Sequence, residues 1–211
     1  MMTQSMSSRV GELHPSRWLA RAAIAGPITF TAAWAVLGLL RPGYSIISQP
    51  VSGLSVGPSA ALMNGAFVLM GIFVAVGVVG IFQSIRELGA IARWSCTVLM
   101  GLSGAGSVLC GLFTFEAAPL AHLISFLVAG GVPVFAFLIT GLVLRRIPSW
   151  RRFGHALLLA SPLSFALLLV FAKTFSIPSI EAGVGVAGLT ERIAVLELHA
   201  WYVALAWRAT R

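Results

Sequence analysis

Three groups of residues in this chain carry chemistry in their types and spacing. Glu116 and His122 stand six residues apart, Glu197 interrupts an apolar run, and a polar segment runs from Arg41 to Ser55. A carboxylate and an imidazole within hydrogen-bond reach are the minimum for acid–base work, or for half of a metal site. One Glu and one His fall short of the three or four ligands that zinc takes, so no metal and no other cofactor is expected. A turn brace or structural ion pair is the simpler reading of Glu116 with His122. A carboxylate at membrane depth is costly and needs a partner. For Glu197 the candidates at similar depth are Arg41, His122 and Lys173. His199 points about 200° away from Glu197 on a helix and cannot serve the same small site. The catalytic candidates are therefore Glu116, His122 and Glu197, and whether the chain is an enzyme stays open.

The polar segment has serines at 45, 48, 52 and 55, with Ile47, Val51 and Leu54 forming an opposing stripe. Ser48 is placed to cap a short helix with Pro50 in its first turn, and Gly57-Pro58 to end it. This predicts a short amphipathic helix lying in the outer interface. It is either a structural lid or a surface that meets a head group. Candidate ligand-binding residues are Arg41, Tyr44, Ser48, Gln49, Asn64, Lys173 and Arg192. Thr190-Glu191 reads as a helix start, with Thr190 as N-cap and Glu191 on the positive helix end.

The elements that position these residues follow from composition. The 211 residues are 58% hydrophobic and 9% charged, with mean hydropathy +0.96. A soluble domain carries about 25% charged residues. Soluble enzymes, nucleic-acid-binding domains and disordered tails are thereby excluded. The expected class is all-α: a polytopic membrane protein built as a six-helix transmembrane bundle. A span needs about 20 mostly apolar residues. Six segments qualify: Trp18–Leu40, Ala60–Ser84, Trp94–Phe115, His122–Leu144, Phe153–Lys173 and Arg192–Trp207. They form one domain over 18–208, after a polar tail over 1–17. The first run is too long for a signal-peptide core and reads as a retained span.

Six alternating spans put Arg9, Arg17, Arg21, Arg86, Arg93, Arg145, Arg146, Arg151, Arg152, Arg208 and Arg211 on one side. Arg41, Lys173 and Arg192 fall on the other. The positive-inside rule assigns the first side, with both termini, to the cytoplasm of a plasma or inner membrane. The net charge of +8 is then a topology signal and not a mark of nucleic-acid binding. Cys96 and Cys110 lie about 21 Å apart along one helix, so they are packing residues. Gly104, Ser107 and Gly111 share a face that lets a neighbouring helix approach closely. Gly26-Pro27, Gly130-Gly131-x-Pro133 and Ser161-Pro162 each predict a kink. His14 and His155 fall in the polar tail and on the basic rim and are assigned no role.

Arg41-Pro42-Gly43-Tyr44-Ser45, Ser48-Gln49-x-Val51-Ser52-x-Leu54-Ser55 and Met63-Asn64-Gly65-x-Phe67 resemble the bacterial family called "domain of unknown function 998". Gly111-Leu112-Phe113 with Glu116 and His122, and Gly188-Leu189-Thr190-Glu191-Arg192, fit it as well. The likeness runs over nearly the whole chain. The family usually has Asp where this chain has Glu116. The resemblance implies a multi-pass membrane protein and adds no reaction. The Tyr/Ser-rich first loop and a His on span four are also distantly similar to DRAM-type and GPI-remodelling membrane proteins, which are associated with lipid handling.

The polar residues converge on the outer half of the bundle, which predicts a polar pocket facing the outer leaflet. The expected function is binding of a membrane lipid or amphiphile, its head in that pocket and its tail on the glycine faces. The alternatives are an intramembrane lipid-modifying enzyme using Glu116, His122 or Glu197, and an accessory subunit with a membrane-protein partner or a second copy of the chain.

Overall fold

A computed structural model describes residues 15–211. The expected tail, with Arg9 and His14, lies almost wholly outside the described residues. Every described regular element is helical: α1 Pro15–Leu40, α2 Ala60–Ser84, α3 Ala90–Leu112, α4 Pro119–Phe126, α5 Val132–Leu144, α6 Arg151–Thr174, α7 Ile177–Glu181 and α8 Ala187–Thr210. A π-helical turn, Leu127–Gly131, joins α4 to α5 into one continuous rod. Among the described residues, five stretches are long and apolar enough to cross a membrane: Pro15–Leu40, Gly57–Ser84, Ala90–Leu112, Pro119–Leu144 and Pro148–Thr174. Helix α8 is 24 residues long, which is about 36 Å, but it carries Glu191, Arg192, Glu197 and Arg208.

Small residues set the packing. Helix α1 lies on α2 and α8, α2 on α3, α5 on α6, and α6 on α8. A Cβ on Gly104 would stand 2.5 Å from the Gly71 carbonyl oxygen of α2, and one on Gly111 would stand 2.6 Å from that of Asn64. Between them Ser107 Oγ donates to the Phe67 carbonyl at 3.0 Å. The face of Gly104, Ser107 and Gly111 is thus covered by α2 backbone. It is a helix–helix contact and offers no space to a lipid tail, which corrects the expectation placed on it.

The kink at Gly130-Gly131-x-Pro133 appears as the π turn. Pro133 has no N–H, so the Ala129 carbonyl lacks its helical donor. Ser103 Oγ of α3 supplies one at 2.7 Å. Gly106 lets α3 approach closely, since a Cβ there would collide with Ala129 backbone.

The first loop departs from the predicted interfacial helix. It forms two 3₁₀ turns, Val51–Ser55 and Gly57–Ser59, with Pro50 and not Ser48 at the first N-cap. The Val51 N–H donates to a carboxylate of α8 instead of an earlier carbonyl, and Pro50 has no N–H, so no helix begins sooner. Val51 and Leu54 point into the core, and Ile46 and Ile47 are exposed. The turn is a plug in the bundle rather than a helix resting on its rim. Cys96 and Cys110 are buried free thiols.

Candidate functional site

The first loop leaves α1 through Arg41-Pro42-Gly43-Tyr44. Pro42 fixes one central φ and Gly43 takes φ +73°, while Tyr44 N–H returns to the Arg41 carbonyl at 3.2 Å. This is a type II turn, which needs glycine at that position. The turn aims Tyr44 and Arg41 back over the loop. Arg41 Nη1 donates to the carbonyls of Gly53 and Val56 at 2.6 and 2.8 Å. Tyr44 Oη lies 2.7 Å from the Pro50 carbonyl and 3.1 Å from that of Gln49. Gln49 Oε1 accepts from the Ser45 N–H at 2.9 Å.

Helix α8 closes this network. Arg192, 5% exposed, donates through Nη1 to the carbonyls of Ile46, Gln49 and Gly188 at 2.8–2.9 Å and through Nη2 to Tyr44 Oη at 2.6 Å. Its guanidinium also lies 5.1 Å from the Trp34 ring centre. Leu189 N–H donates to the Ile47 carbonyl at 2.8 Å. Gly188 is required there, because a Cβ would run into the Gln49 carbonyl. Burial raises the Tyr44 phenol above its ordinary value of 10.0, outweighing the nearby Arg192 and Arg41 charges that lower it.

Four of the seven candidate ligand-binding residues, Arg41, Tyr44, Gln49 and Arg192, therefore come together as a clamp whose polar atoms address the loop itself. Ser48 is buried beneath it with an unpartnered hydroxyl. Asn64 reaches the Ser55 carbonyl at 3.4 Å from α2. Lys173 is exposed and joins no part of the network.

The catalytic candidates separate. Glu116 is exposed and makes no ion pair with His122 among the described residues. The His122 ring instead holds the Phe113 carbonyl at 2.7 Å through Nδ1, across the Thr114–Ala118 turn. A carbonyl only accepts, so Nδ1 carries a proton, and in the neutral ring Nε2 keeps a lone pair. Glu197 meets none of the partners expected for it. Its carboxylate accepts from Ser164 Oγ of α6 at 2.8 Å and from Trp201 Nε1, one turn on, at 2.6 Å.

The space in the bundle lies elsewhere. An inner chamber of about 70 Å³ is enclosed by α1, α2, α3, the π turn, α6 and α8, with Tyr202 and His199 among its walls. An apolar groove of about 450 Å³ runs between α4 and the C-terminal part of α6, lined by Leu120, Leu123, Leu127, Leu168, Phe171 and Phe175 among others. Leu120, Leu123 and Leu127 are more than half exposed, so the groove opens on the lateral face of the bundle. Ser52, His122, Phe126, Leu168 and Glu191 line both spaces and form the junction between them. Glu191 is 5% exposed, and its Oε2 accepts the Val51 N–H at 2.5 Å. No hydrogen bond among the described residues engages its other oxygen.

Of these two buried groups, the sequence marks His122 as a candidate and Glu191 only as part of a helix start. Glu191 matched a helix start so well that its acid needed no other explanation. The signal available was its immediate neighbour: Glu191-Arg192 puts two opposite charges at the mouth of an apolar bundle, and adjacent helical side chains diverge by about 100°.

The model of a family described as "Protein of unknown function (DUF998)" matches residues 24–208. No curated protein matches the chain, and no solved structure does.

Proposed function

The chain belongs to the DUF998 family, and for it we propose a membrane protein of six spans, α8 being the sixth, that takes an amphiphile sideways from the outer leaflet. The tail lies in the groove between α4 and α6, and the head reaches Ser52, His122 and Glu191. Both termini face the cytoplasm of the plasma or inner membrane. The even span count agrees with the basic residues, which gather at the ends of α1, α2, α3, α5, α6 and α8 away from the clamp.

One observation carries this reading: an apolar groove, open on the lateral face, ends at a buried carboxylate and a buried imidazole. Ligand sites are mostly apolar with a few placed polar groups, and an ionisable residue at membrane depth marks function by default. The clamp residues hold the loop that brings Ser52 and Val51 to the junction, so they act by positioning.

The test is retention of a spin-labelled or brominated acyl chain by the purified protein, beside Gly131→Phe. Gly131 lines the groove, and a Cβ there meets no atom within 4 Å. Its ψ of −41° and φ of −80° suit any residue. Saturable binding in wild type, lost in a folded Gly131→Phe protein, is expected. Equal binding in both would refute the groove. A second reading, acid–base chemistry on the bound lipid, draws on the free Nε2 of His122 beside the Glu191 carboxylate. A lipid species that changes in cells on deletion, and is restored by wild type but not by His122→Gln, would favour it.

A further inference from the structure

The polar groups around the chamber and the junction have given their protons to the protein. Ser103 Oγ donates to the Ala129 carbonyl at 2.7 Å, Ser107 Oγ to that of Phe67 at 3.0 Å, and Tyr202 Oη to that of Met100 at 3.0 Å. His122 commits Nδ1–H to the Phe113 carbonyl. A hydroxyl has one proton and a neutral imidazole has one N–H. These four groups therefore turn only lone pairs toward the space they line. Glu191 adds the oxygen that Val51 does not occupy. Ser52 Oγ has no partner among the described residues. His199, whose Nδ1 is buried without a partner, adapts to either role.

Among the described residues, no Arg or Lys lines either space. Arg192 follows Glu191 directly, but its guanidinium faces the loop carbonyls and Tyr44. The Arg192 guanidinium is thus committed to the loop, while the Glu191 carboxylate lines the junction.

We infer that the amphiphile bound in this groove carries an ammonium head, held at the junction by Glu191, His122 and Ser52. The inference rests on the groove reading above and names its ligand class. An ammonium brings three donors and no acceptor. It matches a carboxylate oxygen, the His122 Nε2 lone pair and a hydroxyl oxygen. A phosphate brings acceptors and negative charge, and would set lone pairs against lone pairs beside Glu191. A neutral alcohol brings a single proton to donate and no charge.

The experiment is scintillation-proximity binding of radiolabelled dodecylamine to the full chain in nanodiscs, with empty nanodiscs subtracted. Dodecanol and dodecyl phosphate serve as competitors. Wild type is expected to bind dodecylamine saturably, with dodecyl phosphate at least about tenfold weaker. Glu191→Gln keeps an acceptor for the Val51 N–H and removes the charge. It is expected to weaken dodecylamine about tenfold or more, the value of a hydrogen bond to a charged group, and to leave dodecanol unchanged. Should Glu191→Gln fail to fold, Ser52→Ala carries the same comparison with a smaller loss. Competition by dodecyl phosphate equal to that by dodecylamine, or unchanged selectivity in the variants, overturns the inference. If all three heads bind alike and Gly131→Phe abolishes all of them, the ammonium inference fails while the groove stands. If no probe binds saturably, both fail.

Discussion

Replacing Arg192 by Met should release the first loop without unfolding the bundle. Methionine fills most of the space and donates nothing. The Gly188 carbonyl lies four residues back in α8 and keeps its helical N–H partner. The carbonyls of Ile46 and Gln49 have no such substitute, and Tyr44 Oη loses a charged donor. The two carbonyl bonds alone, from a charged donor, contribute about 3–6 kcal/mol. The cost of burying the guanidinium disappears with it and offsets part of that. About 2–3 kcal/mol remains, or roughly 30- to 150-fold in the opening equilibrium of the loop. Hydrogen exchange reads this directly, because local openings report local free energies. The Gln49, Val51 and Gly53 amides, bonded to Ser45, Glu191 and Pro50, should exchange faster by that factor. Peptides from the middle of α3 should not change. An acceleration in the loop below about threefold, or an equal acceleration throughout the helices, would show that Arg192 is not a local clamp.

Three further outcomes follow from the same geometry. Gly104→Val should push α2 from α3 and cost about 1–3 kcal/mol or more in SDS-induced unfolding, as overpacking does, while Gly101→Ala, with nothing within 4 Å of its Cβ, should be neutral or mildly stabilising. Glu197→Gln should cost about 1 kcal/mol in unfolding through Ser164 and Trp201, and should leave amphiphile binding untouched, because Glu197 lines neither space. The Tyr44 phenol should titrate above 10.0, read at 295 nm as the difference between wild type and Tyr44→Phe. Since its folded value is raised, its stabilising contribution is complete below the unfolded value and is lost as pH rises through the folded one; titration at or below 10.0 would mean that the Arg192 and Arg41 charges outweigh burial.

The helices were legible because their signal is averaged over 20 residues. Ala60–Ser84 agrees at both ends with the apolar run that predicts it, and the other helical stretches begin two to five residues earlier, α3 ending three residues sooner than expected and α8 three later. The small-residue face of α3 was legible for the same reason, as Gly104, Ser107 and Gly111 can serve little but close approach. The loop was not. Its serine spacing fits a helix, but the length of the turn is set by a carboxylate 140 residues away, and nothing local records that contact. The partners of Arg41, Tyr44 and Arg192 were hidden because they are backbone carbonyls, which every residue has. Charge alone suggested a head-group site, whereas the donors are engaged by the loop.

Gly188-Leu189-Thr190-Glu191-Arg192 then accounts for both halves of the design. Gly188 admits the Gln49 backbone, Leu189 N–H pairs with the Ile47 carbonyl, and Arg192 gathers the loop carbonyls with Tyr44. Glu191, next in line but on another face, reaches past the loop to Val51 and the junction. One helical turn therefore fixes the loop and places the carboxylate under it. A loop freed by Arg192→Met would also loosen Val51 and Ser52, and with them two sides of the junction. Amphiphile binding should accordingly weaken in Arg192→Met although Arg192 lines neither space, whereas Glu197→Gln, deeper on the same helix and also charged, should leave it unchanged. A positioning role predicts that contrast, and a direct head-group contact by Arg192 would instead predict a switch in head-group preference.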